Sequence, residues 1–237
     1  MNKKQRKNLQ KRQARQHVRR MRMWGRGVIA CVVFGICFLG AMLLTSCSDH
    51  QDMYDAGIRV GNILLSDNTF VVPEQYDKGR MTAVGVVFYA SGDTAIAVAP
   101  HELGDLCFMD SAMVVNGVSS DTYSLNGLTS SAALVVAAAK TPAAEACFNY
   151  RSPLSGWYLP SAGELRMLSR NLAAVRHSMM VIEGQDFDDV QYMSSSQDNS
   201  STNNSIINCY CVSLLRGYAV SVSKKEPHRV RPVILIH

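Results

Sequence analysis

Apolar positions are spaced unevenly along the chain, and their spacing predicts its elements. A charge-free run from Gly27 to Leu44 stands near the start, close to the roughly 20 apolar residues that a bilayer-spanning helix takes. Two later segments read as hairpins. Ile63-Leu64-Leu65 and Phe70-Val71-Val72 flank Ser66-Asp67-Asn68-Thr69, and Val84 to Tyr89 and Ala95 to Ala99 flank Ser91-Gly92-Asp93-Thr94. β-Branched and aromatic arms around Gly and Asp suit antiparallel strands joined by tight turns. Ser130 to Tyr150 is Ala-rich and helical in composition, with a break or a new start at Pro142, because proline is comfortable only in the first turn of a helix. The clearest helix comes after Pro160. Ser161 and Glu164 have the S-x-x-E spacing of a capping box, ahead of an apolar stripe at Leu165, Leu168, Leu172 and Val175. From Asp186 to Asn208 the pattern lapses into Ser, Asn, Asp and Gln, which predicts a disordered insertion or a surface loop held at both ends. Cys209 to Val222 and Val230 to Ile236 return to strand composition, the second apolar enough for a central strand.

Charge changes this picture, because the composition averages two unlike pieces. Of 24 Lys and Arg, eleven lie between Met1 and Arg26, and no Asp or Glu precedes Asp49. The rest of the chain holds 13 basic against 19 acidic residues, a formal −6. A phosphate-binding surface needs Lys and Arg clustered on the folded domain, so nucleic acid is not an expected partner. Basic residues ahead of an apolar run stay cytoplasmic, and the chain beyond the run is exported. The run closes in Leu44-Thr45-Ser46-Cys47, which resembles a bacterial lipobox. The expected organisation is a basic leader with an apolar signal or anchor segment over residues 1–46, a lipidated Cys47 with a polar tether over 47–57, and a domain over 58–237. Acyl chains at ~0.8 kcal/mol per buried methylene, two to a cysteine, anchor a protein stably. Ser48 after the cysteine implies, by similarity to other lipoproteins, delivery to the outer membrane or cell surface. An uncleaved signal anchor is the alternative, favoured by the length of the basic leader. Cys107, Cys147, Cys209 and Cys211 belong to the domain, and spacing does not choose among their pairings. Cys209 and Cys211 point to one side of a strand, where a bridge between them is strained, so buried free thiols and disulfides are equally open.

Three short motifs occur in order: Gly156-Trp157-Tyr158-Leu159-Pro160-Ser161-Ala162-Gly163-Glu164-Leu165, Tyr192-Met193-Ser194-Ser195-Ser196-Gln197, and the ending Val230-Arg231-Pro232-Val233. Together they resemble bacterial lipoprotein domains of the C-type-lectin-like superfamily. That superfamily includes the sulfatase-modifying and formylglycine-generating proteins and receptor-binding proteins diversified by retroelements. The resemblance covers Gly57 to His237 and implies an α+β fold. In such folds a small twisted antiparallel sheet is flanked by two helices, and a long polar excursion between the helix and the last strands is the ligand face. The family usually has Trp where this chain has Met193, which implies that the core lacks an aromatic there or that another side chain stands in for it. The residues themselves make Trp157 and Tyr158 core anchors of the capped helix, and Arg231 a partner for a carboxylate or carbonyl.

Catalytic signals are sparse. His101-Glu102 lacks the second histidine of H-E-x-x-H, no G-x-S-x-G elbow occurs, and Cys209-x-Cys211 has the wrong spacing for zinc. The cysteine pair of formylglycine-generating enzymes does not map onto Cys209 and Cys211. His101, His177 and His228 read as surface or packed histidines. Asp186, Asp188 and Asp189 offer oxygen ligands to calcium, although a solvated acidic loop explains them as well. No metal or cofactor is expected. The candidate ligand-binding residues are Asp198, Asn199, Asn203, Asn204, Asn208 and Tyr210, on a stretch expected to be exposed and too polar for the core. Short polar side chains with an occasional aromatic suit adaptable recognition, and a solvated loop is the bland reading. Three functions are open, in order of preference: a non-catalytic ligand-binding or adhesion module for a glycan, peptide or protein, a structural subunit of a surface assembly such as a pilus tip, and a degenerate or unrecognised enzyme of the formylglycine-generating type. An amide-and-aromatic patch on the excursion favours the first, a free edge strand the second, and a pocket joining a cysteine to a base the third.

Overall fold

Two sheets carry residues 57–237, the part of the chain that the computed structural model describes. The leader, the apolar run, Cys47 and the tether up to Ala56 lie outside the described residues. Both expected hairpins form: β1 (Ile63–Leu65) pairs with β2 (Phe70–Val71), and β3 (Ala83–Ser91) with β4 (Thr94–Val98). After β5 (Gly104–Leu106) and a long irregular stretch come α1 (Gly127–Val135) and α2 (Pro142–Phe148), with Pro142 in the first turn of α2. Next are β6 (Trp157–Tyr158), α3 (Ala162–Arg170) and α4 (Leu172–Val181). The chain continues through β7 (Gln191–Gln197), α5 (Thr202–Ile207), β8 (Asn208–Ser213), β9 (Ala219–Ser223), β10 (His228–Val230) and β11 (Val233–Ile236). A six-stranded sheet runs β2-β1-β3-β4-β11-β6 and a five-stranded sheet β5-β10-β7-β8-β9. Pairing among the described strands is antiparallel except where β10 meets β7 in parallel, Arg229 opposite Tyr192. β11 lies inside its sheet between β4 and β6, as its apolar sequence predicts.

The fold is α+β, and it is larger than one small sheet with two helices. The five-stranded sheet is apolar on both faces, so both must be covered. Tyr192 and Val212 join Leu165, Leu168, Leu172 and Val175 of α3 and α4, together with Val86, Phe88 and Val98, in a core between the sheets. Met193, Cys209 and Cys211 face the other way into a second core, closed by Leu134 of α1, Ala143, Ala144 and Cys147 of α2, and Phe108 and Met109. The outer face of the six-stranded sheet is capped by Tyr150 and Leu154 around Trp157. The stripe predicted from Leu165 to Val175 is buried as expected, but the helix breaks at Asn171, whose Nδ2 donates to the Phe88 carbonyl of β3 at 2.8 Å. Trp157 and Tyr158 are core residues. Met193 is buried in that second core, its Sδ 3.7 Å from Cys209 Sγ and 3.8 Å from Cys211 Sγ. All four cysteines of the domain are free.

The largest correction concerns residues 186–208. The tract is neither an insertion nor a surface loop throughout, because Tyr192 to Asp198 are buried and six of them lie in β7. Arg231 takes the structural role expected of it: Nε donates to the Ala99 carbonyl at 2.9 Å and Nη2 to the Pro100 and Gln185 carbonyls, each at 2.7 Å.

Candidate functional site

Polar groups around β7 and the first turn of α3 form the base of the excursion. Ser161 Oγ accepts from the Glu164 amide at 3.1 Å, and Glu164 Oε2 accepts from the Ser161 amide at 2.8 Å, so the capping box is complete. Glu164 also serves a second helix. Its Oε1 accepts from the Gly127 amide at 3.2 Å, at the start of α1 where no side chain of α1 caps, and from Tyr158 Oη at 3.3 Å. Burial outweighs these donors and pushes the Glu164 carboxyl up to about 7. The serines of β7 satisfy backbone groups that would otherwise be orphaned. Ser196 Oγ accepts from the Ala162 amide at 3.0 Å, the Ser195 amide donates to the Pro160 carbonyl at 2.8 Å, and Ser194 Oγ donates to the Tyr210 carbonyl at 2.6 Å. Each of the three serines closes a bond across elements, Ser194 and Ser196 through the side chain and Ser195 through its backbone amide, while the buried Ser195 Oγ has no partner among the described residues; the pairing of β7 with β8 is irregular between Met193 and Gln197.

Beyond β7, two buried groups hold the excursion. Asp198 is 2 % exposed, and its carboxylate accepts from the Ser200 amide at 2.9 Å, Tyr210 Oη at 3.0 Å, Ser221 Oγ at 2.5 Å and Asn204 Nδ2 at 3.3 Å. Burial alone would raise its pKa, but the hydrogen bonds from Ser221, Ser200 and Tyr210 hold it below the ordinary carboxylate value. Burial, and then the bond to Asp198, hold the Tyr210 phenol up. On the other side, Lys224 is 1 % exposed, and Nζ donates to the Met113 carbonyl at 2.7 Å, Gln197 Oε1 at 2.6 Å and the Ser205 carbonyl at 2.7 Å. An ammonium has three donors, and all are used. Burial pushes this lysine down to about 8, so it is still charged at neutral pH. Gln197 joins the excursion to the irregular stretch before α1, since its amide donates to the Ser119 carbonyl at 2.9 Å and its Oε1 accepts from the Val115 amide at 3.1 Å.

The six candidate residues are thus close in sequence but unlike in placement. Asn199 and Asn203 are exposed; Asn204, Asn208 and Tyr210 are half-buried; Asp198 is inside. The expectation that the whole stretch is exposed fails for Asp198, because its carboxylate has four internal partners. Asn204 and Tyr210 likewise direct polar atoms at Asp198. The outward part is a short ridge of Asn199, Ser200, Ser201, Thr202 and Asn203, with Ile207 adding an exposed apolar side chain. Lys224, Gln197 and Ser221 are positioning residues that no sequence pattern marks. Lys224 and Lys225 are adjacent and identical in type, so no local signal separates the buried one from the exposed one.

The carboxylates considered for calcium face guanidinium groups: Asp186 accepts from Arg176 Nε at 2.8 Å and Asp188 from Arg229 Nη1 at 3.0 Å, while Asp189 is exposed. Among the described residues no group of three or more His, Cys, Asp or Glu is gathered as a metal site, and no helix is long and apolar enough to cross a membrane. The Glu102 side chain is buried beside Arg229, with Oε2 accepting from Nη1 at 2.5 Å and Oε1 from Tyr192 Oη at 2.6 Å. A cavity of about 390 Å³ between Tyr76, Tyr150 and His101 contains neither a cysteine nor a carboxylate to work with that histidine. Comparison with known protein families finds no family model that matches the chain, and comparison with curated proteins finds no significant relative.

Proposed function

We propose that this chain is a lipid-anchored, non-catalytic ligand-binding module of C-type-lectin-like type, displayed at the outer membrane or cell surface, and that the ridge after β7 is its ligand face. One observation carries the reading: the ridge presents outward amides and hydroxyls while its base is held from within by Asp198 and Lys224. A polar segment ordered before binding loses less conformational entropy on binding, and short polar side chains suit glycan, peptide or protein surfaces. The superfamily is supported by the α+β architecture and by the roles its motif residues play here, Ser161 and Glu164 capping, the serines of β7 bracing α3. Anchoring is supported by the basic leader and the apolar run that ends at Cys47.

The test is to probe the full chain in detergent against a glycan array and an array of extracellular proteins. Replacing Asn199 and Asn203 together by Ala should weaken any binding found by roughly tenfold or more, at about 1 kcal/mol per lost hydrogen bond. The Asn203→Ala change should leave the melting temperature where it was, because Asn203 is exposed, whereas Asn199→Ala should lower it modestly by removing the acceptor of the buried Gln197 Nε2 at 2.9 Å; the loss of binding is therefore read well below either transition. Unaltered affinity in this variant would place the site elsewhere.

A further inference from the structure

The two sheets have four edges, and three are blunted. β2 and β6 are two residues long and β6 is buried; β5 is three residues long, and its Asp105 is ion-paired to Arg229 Nε at 2.9 Å. The fourth edge differs. β9, Ala219-Val220-Ser221-Val222-Ser223, has five residues without charge or proline and pairs on one side only, with β8. Shortness, charge and proline are what keep sheet edges from pairing with other chains.

The hydrogen bonds that bracket β9 show which of its backbone groups are free. The Ser213 amide donates to the Tyr218 carbonyl at 3.1 Å, and the Lys224 amide to the Ile207 carbonyl at 2.8 Å. Bonding alternates along an antiparallel pair, so Val220 and Val222 turn their amides and carbonyls to β8, while Ala219, Ser221 and Ser223 turn theirs outward. The Ser223 carbonyl accepts from the Glu226 amide at 3.0 Å. The other outward groups have no backbone partner among the described residues.

We infer that β9 pairs antiparallel with β9 of a second copy of this chain, about a twofold axis through Ser221. That register sets the Ser221 amide of each copy against the Ser221 carbonyl of the other. It also sets the free Ser223 amide against the free Ala219 carbonyl, and the Ala219 amide against the Ser223 carbonyl, which accepts from Glu226 through one of its two lone pairs. Val220 meets Val222 across the axis on the side that packs onto the second core. The antiparallel arrangement also brings the turn after β9, which carries Glu226, to the end of the strand where the turn before β9 of the second copy carries Arg216; both are exposed, Arg216 has no ion pair among the described residues, and Glu226 has only His228 nearby at 3.9 Å. Self-complementarity of strand, side chains and charge is what a twofold contact requires. Such pairing is independent of whether the ridge after β7 binds a ligand.

Sedimentation of the full chain in excess detergent, at micromolar concentration, is expected to show a dimer. Ser223→Pro removes an outward amide while leaving the ladder to β8 whole, and should give a monomer with an unchanged far-ultraviolet dichroism spectrum. If that variant fails to fold, Ser223→Lys puts a charge on the same edge and should do the same. Arg216→Glu and Glu226→Arg should each weaken the dimer a few-fold, and the double reversal should restore it. A wild-type chain that stays monomeric, including one whose β9 captures a different protein, overturns the inference. So does a dimer indifferent to these edge and charge variants.

Discussion

Glu164 concentrates more of the fold in one side chain than any other residue of the capped helix. It closes the box on α3, caps α1 and receives the Tyr158 hydroxyl. Its pH dependence has a definite sign. In the unfolded chain the carboxyl ionises near 4.5, and in the fold, where burial raises it, near 7. The folded state therefore keeps a proton that the unfolded state has lost over that window. The contribution to stability is complete below pH 4.5 and is lost as pH rises through 7, at most about 3 kcal/mol from a shift of this size. Urea denaturation at pH 5 and pH 8 should show that decline in the wild type and a flatter profile in Glu164→Gln. Equal slopes in the two proteins would remove Glu164 as the titrating group.

The first turn of α3 shows at the scale of an element how a local pattern and a distant segment act together. The backbone of Tyr123 and Ser124 crosses it so closely that a Cβ on Gly163 would stand 2.4 Å from the Ser124 carbonyl oxygen and 2.5 Å from the Tyr123 carbonyl carbon. Helix propensity alone favours alanine over glycine by ~1 kcal/mol, whereas packing of this kind reverses the sign and costs ~1–3 kcal/mol. Gly163→Ala is thus expected to destabilise the domain, by more than the ~1 kcal/mol typical of losing a cap such as Ser161. A stabilised Gly163→Ala in thermal or chemical denaturation would mean that the 123–124 segment does not pack there. The S-x-x-E spacing and the apolar stripe were legible because they are periodic and local. The break at Asn171 was not, because its cause is a carbonyl on β3, far away in sequence.

For the whole molecule, the basic leader and the acidic domain call for different experiments. The acidic part folds around two sheets and three apolar clusters, all built from residues of the domain itself. Cys47→Ser should therefore leave the chain unlipidated and abolish its labelling by a palmitate analogue, while the melting transition of the domain stays where it was. Labelling that persists in the variant would leave Cys47 as an incidental cysteine behind a retained anchor.

Some properties are set by residues near one another in the chain, and the sequence by itself determined those: both hairpins, the start of α2 at Pro142, the capped helix, the central strand at the end and the α+β class. Tertiary structure decided how polar residues divide between inside and outside. Ser194 to Asp198 read as loop by composition and are buried, because partners on β6–α3, β8, β9, Lys224 and the segment before α1 take up their hydrogen bonds, the Ser195 hydroxyl alone excepted. Lys224 is inside and Lys225 outside for the same reason. Apolar burial follows a period that can be read along one segment, whereas burying a polar group depends on finding a donor or acceptor elsewhere in the fold, and that is written in no single stretch of sequence.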